Sequence, residues 1–363
     1  MSAALGTTDN PLRVVIIGSG PSGFYAADYF QKQKDLVVHI DMLDRLPTPF
    51  GLVRGGVAPD HAKIKSVTKV YDKIACHPNF RFYGNVELGK DLTHADLVKH
   101  YHQIIYAVGA QTDRRMGIPG EDLSGSHAAT EFVAWYNGHP DYRHLKFDLT
   151  QERAAVIGVG NVAMDVARIL ASSYEELRKT DMADYALEEL KKSNVREIYV
   201  IGRRGPAQSA FTNPEIKEIG ELEEADAVAY PDEVTLDPLS RAALDESKDN
   251  AAEKNVEILM RYAQAKPQGK KKRLYMRFLL SPEEITGQGR VEHLKLVRNE
   301  LYASKDGSLR PRPTDKHEAL DVGLVFRSIG YKGLPLADVP FDEKAGIISN
   351  QHGRVFDAAK EKI

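Results

Sequence analysis

Two stretches of this chain run apolar, break at two glycines set one residue apart, and then resume at helical spacing. They are "VVIIGSGPSGFYAAD" at 14–28 and "AAVIGVGNVAMD" at 154–165. Such a pattern reads as a buried strand, a tight turn and the first turn of a helix, and it commits the surrounding chain to a parallel βαβ unit. In the first stretch Gly18, Gly20 and Gly23 hold the full three-glycine spacing. The first permits the turn, the second lets the backbone approach a pyrophosphate, and the third lets helix and strand pack closely. Gly158 and Gly160 repeat the first two, with Ala163 in third place. Beyond each turn a helix N-terminus supplies free N–H groups and a partial positive charge. With 363 residues the chain is long for one core, so two α/β nucleotide-binding domains are expected.

Composition narrows the function classes. The apolar content is 42% and the charged content 28%, as in ordinary globular chains, and the net charge of −3 gives no global attraction to nucleic acid or membrane. The single cysteine, Cys76, excludes an internal disulfide, a CxxC electron relay and a cluster held by several thiolates of these residues. No apolar stretch approaches the ~20 residues of a membrane span. The opening "MSAALGTTDNPLR" lacks the basic and apolar regions of a signal peptide. A cytoplasmic location is the expectation, with a mature mitochondrial-matrix form as the alternative.

Along the chain, a strand over Leu12–Gly18, a helix from Ser22 to about Lys34 and a strand at "LVVHIDML" form the first unit. "PTPFGLVRGGVAPDH" (47–61) is too rich in Pro and Gly for a regular element. A helix over 62–75, short strands at "FRFYGNVEL" and an apolar strand "QIIYAVGAQ" follow, the last leaving the domain near Gly109-Ala110. The second unit has helices over Val162–Leu170 and Ala183–Lys192 and a strand "EIYVIG" at 197–202. Residues 237–265 read as an exposed acidic helical stretch, and "KPQGKKKR" (266–273) as a basic turn before "LYMRFLL". "LDVGLVFRSIG" (320–330) is expected to return the chain to the first domain.

Two side-chain features give the cradles their chemistry. At the end of the second strand Asp44, or alternatively Asp41, is placed to accept hydrogen bonds from a ribose. In the second unit the same place is taken by "IGRRG", where Arg203 and Arg204 offer two guanidinium forks to a 2′-phosphate and so favour NADP over NAD. One cradle for a tightly held FAD and one for NADP(H) would set a nicotinamide against a flavin, as hydride transfer requires.

"VVIIGSGPSGFYAAD", "PFGLVRGGVAPDH", "FYGNVELGKD", "VIGVGNVAMDVARIL", "VIGRRGPAQSAFT" and "SIGYKG" stand in the order and spacing of the adrenodoxin reductases and their bacterial ferredoxin–NADP reductase relatives. The sequence resembles that family from about residue 12 onward, and "FGLVRGGVAPDH" is its most specific part. The resemblance implies two Rossmann-like α/β domains of glutathione-reductase type, with an NADP domain (110–324) inserted into a discontinuous FAD domain (1–109 and 325–363). It implies FAD contacts at Ser22, Asp44, Leu52 and Val86 beside Gly18, Gly20 and Gly23. It implies NADP contacts at Gly158, Val159, Gly160, Asn161, Val162, Arg203, Arg204 and Glu215. His61 matches a residue near flavin and nicotinamide, and His61 and Glu215 are the expected catalytic pair, fixing the nicotinamide edge. The implied acceptor is a small ferredoxin-like iron–sulfur protein, and no metal site is implied.

Departures from the family pattern bear on these expectations. Asp44 stands where most relatives carry glutamate, and Gly55 where they carry an aromatic residue. Residues 222–257 are acidic where some relatives present arginines to their partner, although Lys217 and the 270–273 cluster remain basic. The sequence stops at "GRVFDAAKEKI", before a segment that covers the flavin in relatives, so weak flavin retention is expected. A flavin-dependent monooxygenase or oxidase, and a truncated NADP-binding module without full flavin chemistry, remain as alternatives.

Overall fold

The first apolar run forms β1 (Leu12–Ile17), in which Val14–Ile17 are buried, as a central parallel strand requires. β2 (Val38–Asp44), β3 (Phe80–Gly84) and β4 (Gln103–Tyr106) complete a parallel sheet of order β3-β2-β1-β4. α1 (Pro21–Gln31) starts with Pro at its first position, where a missing N–H costs nothing, and buries Gly23, Phe24 and Ala27. It ends three residues before the expected Lys34, because Lys32 onward is polar and offers no further apolar position. α2 (Leu52–Gly55) is one short turn inside the Pro/Gly-rich stretch.

The helix expected over 62–75 is present as two pieces, α3 (Ala62–Lys65) and α4 (Thr68–Ala75). Between them Val67 N–H donates to the Ile64 carbonyl and Lys69 N–H to that of Ser66, the tighter i→i+3 pattern. Phe24, Phe50, Tyr71 and Phe80 cluster beneath these helices, with Phe24 and Tyr71 stacked at 4.8 Å. α5 (His94–His100) is held at its start by a Thr93–Asp96 capping box.

The computed structural model describes residues 3–357, so the last part of the expected 325–363 segment lies outside the described residues. The chain forms two compact units. The first takes the chain up to Val57, His61–Thr112 and the chain from Tyr331 onward; the second takes Ala58–Asp60 and Asp113–Gly330.

After a two-residue strand β5 (Thr112–Asp113), the second unit builds a six-stranded parallel sheet. Its strands are β6 (Ser126–Ala128), β7 (Arg153–Ile157), β8 (Glu197–Ile201), β9 (Ala225–Ala229), β10 (Lys272–Arg277) and β14 (Leu324–Arg327), in the order β6-β14-β7-β8-β10-β9. α6 (Ala129–Tyr136) and α7 (Asn161–Ala171) pack on it, and α7 is buried from Ala163 to Ala171. A separate antiparallel sheet, β11 (Leu280–Thr286), β12 (His293–Ala303) and β13 (Leu309–Asp321), was not read from the sequence.

Two expectations are corrected. The strand in 320–330 does not return the chain to the first unit: β14 is buried between β6 and β7, and the boundary falls after Gly330 rather than at 325. Residues 237–265 are helices, Pro238–Ser247 and Asn250–Gln264, but the second buries Val256, Ile258 and Leu259 and is half core.

Candidate functional site

In the first unit the glycine turn is fixed by backbone contacts. Gly18 has φ +101°, and a Cβ there would lie 2.4 Å from the Ala107 carbonyl oxygen, immediately after β4. A Cβ on Gly23 would lie 2.4 Å from the Gly18 carbonyl oxygen, so helix and turn touch. At Gly20 a Cβ would meet nothing within 4 Å, and no side chain caps α1. The turn thus presents uncapped N–H groups to open space, which fits a dinucleotide pyrophosphate.

The other expected first-unit residues gather at the same end of the sheet. Phe50 N–H donates to the Ser19 carbonyl at 2.9 Å, and a Cβ on Gly51 would stand 2.8 Å from the Gly20 Cα. The Pro/Gly-rich loop is therefore laid onto the turn, with Phe50 itself at φ +93°, a strained value for a bulky residue. Leu52 opens α2 beside it and is exposed, as is Ser22 in the first turn of α1. Val86 donates its N–H to the Asp44 carbonyl at 3.0 Å. Asp44 sits at the end of β2 as expected, but its carboxylate is engaged within the protein. It accepts from Ser19 N–H (2.9 Å), the Ser19 hydroxyl (2.5 Å) and Leu46 N–H (2.9 Å). Asp41, the alternative, is bound to Arg81 and the Tyr101 hydroxyl.

The second unit repeats the geometry. Gly158 has φ +134°, and a Cβ on it would fall 2.1 Å from the Ser328 carbonyl oxygen, just after β14. Gly160 faces open space, and α7 lacks a side-chain cap. The Val159 carbonyl accepts from Ala210 and Phe211, and the Asn161 side chain accepts from Thr212 N–H at 2.9 Å. These bonds hold the segment after β8 against the turn. Val162, in the first turn of α7, packs against the core.

Arg203 and Arg204 follow β8 on this segment, both exposed. Among the described residues neither guanidinium has a hydrogen-bond or ion-pair partner. Partial burial and the neighbouring Arg203 charge push the Arg204 group below its ordinary value. Two adjacent, uncompensated guanidinium groups beside an open anion cradle fit a 2′-phosphate.

Glu215 lies in the first turn of the helix Asn213–Glu221, buried, and accepts from Arg168 at 2.9 Å. The same guanidinium binds Asp60 at 2.6 and 3.0 Å and Asp165 at 2.7 Å, with Glu218 at 3.6 Å. Burial alone would lower the Arg168 group, but these carboxylates hold it raised. Arg168 and its acids were not read from the sequence. The available signal was a charged pair three apart, Asp165 and Arg168, inside a helix that is otherwise apolar. His61 flanks the start of α3 as its N-cap residue, and its carbonyl accepts from Ile64 and Lys65.

A parallel sheet ending in a glycine turn, an uncapped helix and an open cradle, built twice, defines an oxidoreductase of the two-dinucleotide class. The model of the pyridine nucleotide-disulphide oxidoreductase family matches residues 12–200. The chain belongs to that family and, within it, to the adrenodoxin reductase and ferredoxin–NADP reductase group. It is 45% identical over 362 residues to the NADPH-ferredoxin reductase FprA of Mycobacterium tuberculosis, covering 97% of this chain and 78% of that protein. It is 41% identical over 358 residues to the mitochondrial NADPH:adrenodoxin oxidoreductase of Arabidopsis thaliana, covering 96% and 73%. The structure of M. tuberculosis FprA in complex with NADPH superposes with a TM-score of 0.91, covering 95% of this chain and 76% of that one. Despite the family's name, the 363 residues hold one cysteine, the exposed Cys76, and so no dithiol. No helix among the described residues is long and apolar enough to cross a membrane.

Proposed function

We propose that this chain is an NADPH-dependent flavoprotein reductase that passes electrons through FAD to a small iron–sulfur protein of the ferredoxin or adrenodoxin type. The observation that carries it is the pair Arg203 and Arg204, unpartnered among the described residues beside the open second cradle. The names of the relatives, an NADPH-ferredoxin reductase and an NADPH:adrenodoxin oxidoreductase, support the same reading. The first unit is then the FAD domain and the second the NADP domain, inserted into it.

FAD, when bound, accepts an electron pair from a nicotinamide and releases electrons singly, the step an iron–sulfur acceptor needs. The chain's own work is binding and orientation. Gly20 and the start of α1 hold one pyrophosphate, and Gly160 and the start of α7 the other. Ser22, Leu52 and Val86 border the flavin cradle. Asp44 chiefly holds the Ser19 turn in shape, and only its remaining acceptor capacity serves the ribose. His61 and Glu215 fix the nicotinamide edge, with Glu215 held in place by Arg168. We place the protein in the cytoplasm, in keeping with its lone exposed thiol.

The test is purification of the chain with added FAD, followed by flavin absorbance and reduction of an acidic [2Fe–2S] ferredoxin by NADPH and by NADH. Flavin bands with NADPH-preferring ferredoxin reduction are expected. Ferredoxin left oxidised while oxygen is consumed would refute the reading.

A further inference from the structure

Two basic runs stand out in this sequence, and the fold treats them differently. In "KPQGKKKR" four of the five cations are engaged within the protein, and only Lys266 stands exposed without a partner among the described residues. Lys270 Nζ donates to the Leu222 carbonyl, Lys271 pairs with Glu224 at 2.6 Å, Lys272 is buried, and Arg273 lies 4.0 Å from Glu197. In "HAKIKSVTKVYDK" (61–73) three of the four lysines are not so engaged. Lys63, Lys69 and Lys73 are exposed, and among the described residues none has a hydrogen-bond or ion-pair partner. Lys69 and Lys73 are one helical turn apart on α4, and Asp72 is the only acid from 61 to 75.

Exposed apolar surface lies beside these lysines. Val70 on α4 is 47% exposed, and the exposed Tyr25 ring sets its edge against Tyr71 of α4, with Tyr29 one turn further along α1. Apolar and aromatic area bordered by uncompensated cations is the composition of a protein-binding rim and core. The rest of the chain points an acidic partner the same way: the net charge is −3, and residues 222–257 are rich in carboxylates.

We infer that the α3–α4 face of the first unit, centred on Lys63, Lys69, Lys73 and Val70, is the docking surface for an acidic iron–sulfur protein. The identity of that partner rests on the function proposed above; the charge match rests on the lysines alone. An anionic membrane is the weaker occupant, because α4 turns its large apolar residues, Tyr71 and Ile74, into its own core and leaves Val70 as its only exposed apolar residue, too small an apolar face to insert.

The test compares the full chain with two triple variants. In one, Lys63, Lys69 and Lys73 are replaced by glutamate; in the control, the exposed Lys266, Lys305 and Lys316 of the second unit are replaced likewise, giving the same net charge. The Kd for an acidic [2Fe–2S] ferredoxin is measured by calorimetry at about 50 mM salt. The first triple should weaken binding by about 10–100-fold and the control by less than about 3-fold, and the salt dependence should fall only in the first. A glutamine triple at 63, 69 and 73 should give an intermediate loss without charge reversal. Equal losses in test and control, an unchanged Kd, or wild-type binding to phosphatidylserine vesicles without ferredoxin binding would overturn the assignment. NADPH-driven ferricyanide reduction is recorded in parallel. If it is lacking while ferredoxin still binds through these lysines, the reductase function fails and the docking surface stands.

Discussion

Replacing Arg203 and Arg204 together by alanine should weaken NADP+ binding by about 30–150-fold and leave NAD+ binding nearly unchanged. A charge-assisted hydrogen bond contributes about 1.5–3 kcal/mol where water is excluded, but both arginines are exposed, which brings each down to about 1–1.5 kcal/mol. The pair then supplies about 2–3 kcal/mol, which is the stated fold-change. The structure adds a second readout. Among the described residues neither guanidinium pairs with a carboxylate, and Arg203 disfavours the charge on Arg204, so the ligand-free variant should unfold at the same denaturant concentration or slightly higher. Calorimetric titration with NADP+ and NAD+, plus urea unfolding without ligand, measures both. In steady state the loss should fall on KM with kcat nearly intact, because the phosphate contact is made equally in ground and transition states. An unchanged NADPH-to-NADH ratio, or a variant less stable by about 1 kcal/mol or more, would show the arginines to be structural surface charges.

Valine at Gly20 or Gly160 points into open space, so each variant should keep its thermal midpoint while the first loses flavin and the second NADP+; loss of one ligand by both would refute the separation of cradles. Alanine at Gly18 or Gly158 instead meets a carbonyl oxygen at positive φ and should cost about 1–3 kcal/mol of stability, read by urea unfolding. Replacing Arg168 with methionine leaves Asp60, Asp165 and Glu215 crowded without their cation, and unfolding should show a loss of about 3–5 kcal/mol. Burial pushes Lys272 down from 10.5 to about 8, so between those values the unfolded chain holds more protons and native stability rises with pH. Denaturant midpoints at about pH 7.5 and about pH 10 should show the wild type gaining on a Lys272→Met variant, and parallel behaviour would refute that contribution.

The cradles were legible because their demands are local. A turn that brings backbone within contact distance of backbone accepts only glycine at Gly18 and Gly158, and the flanking apolar runs announce the strands. That a basic pair follows β8 was legible for the same reason, since the end of that strand lies at a fixed sequence distance from the turn. What stayed hidden depends on partners far apart in the chain. Asp60 and Arg168 are 108 positions apart, and the motif that contains Asp60 does not tell which cation its carboxylate meets. The antiparallel sheet escaped notice because β13 is largely exposed and alternates irregularly, "LRPRPTDKHEALD", with two prolines. Of β14 only the strand type was readable. Its four buried residues suit a central strand of either unit, and pairing with β6 and β7 decides which.

The two glycine turns also impose an order in time. Gly18 closes against Ala107, and Ala107 N–H donates to the Ile17 carbonyl at 2.7 Å; Gly158 closes against Ser328, and Ser328 N–H donates to the Ile157 carbonyl at 2.7 Å. Each turn is finished by the residue just after a neighbouring strand, but in the first unit that residue comes early in synthesis and in the second unit late. At ribosomal rates of about 5–20 residues per second, Ser328 emerges about 10–45 s after Ala107. The first glycine turn has its closing residue while most of the second unit is still unmade, although the first unit as a whole waits for the chain from Tyr331 onward. A nascent chain halted between these residues can close one of its two glycine turns and not the other.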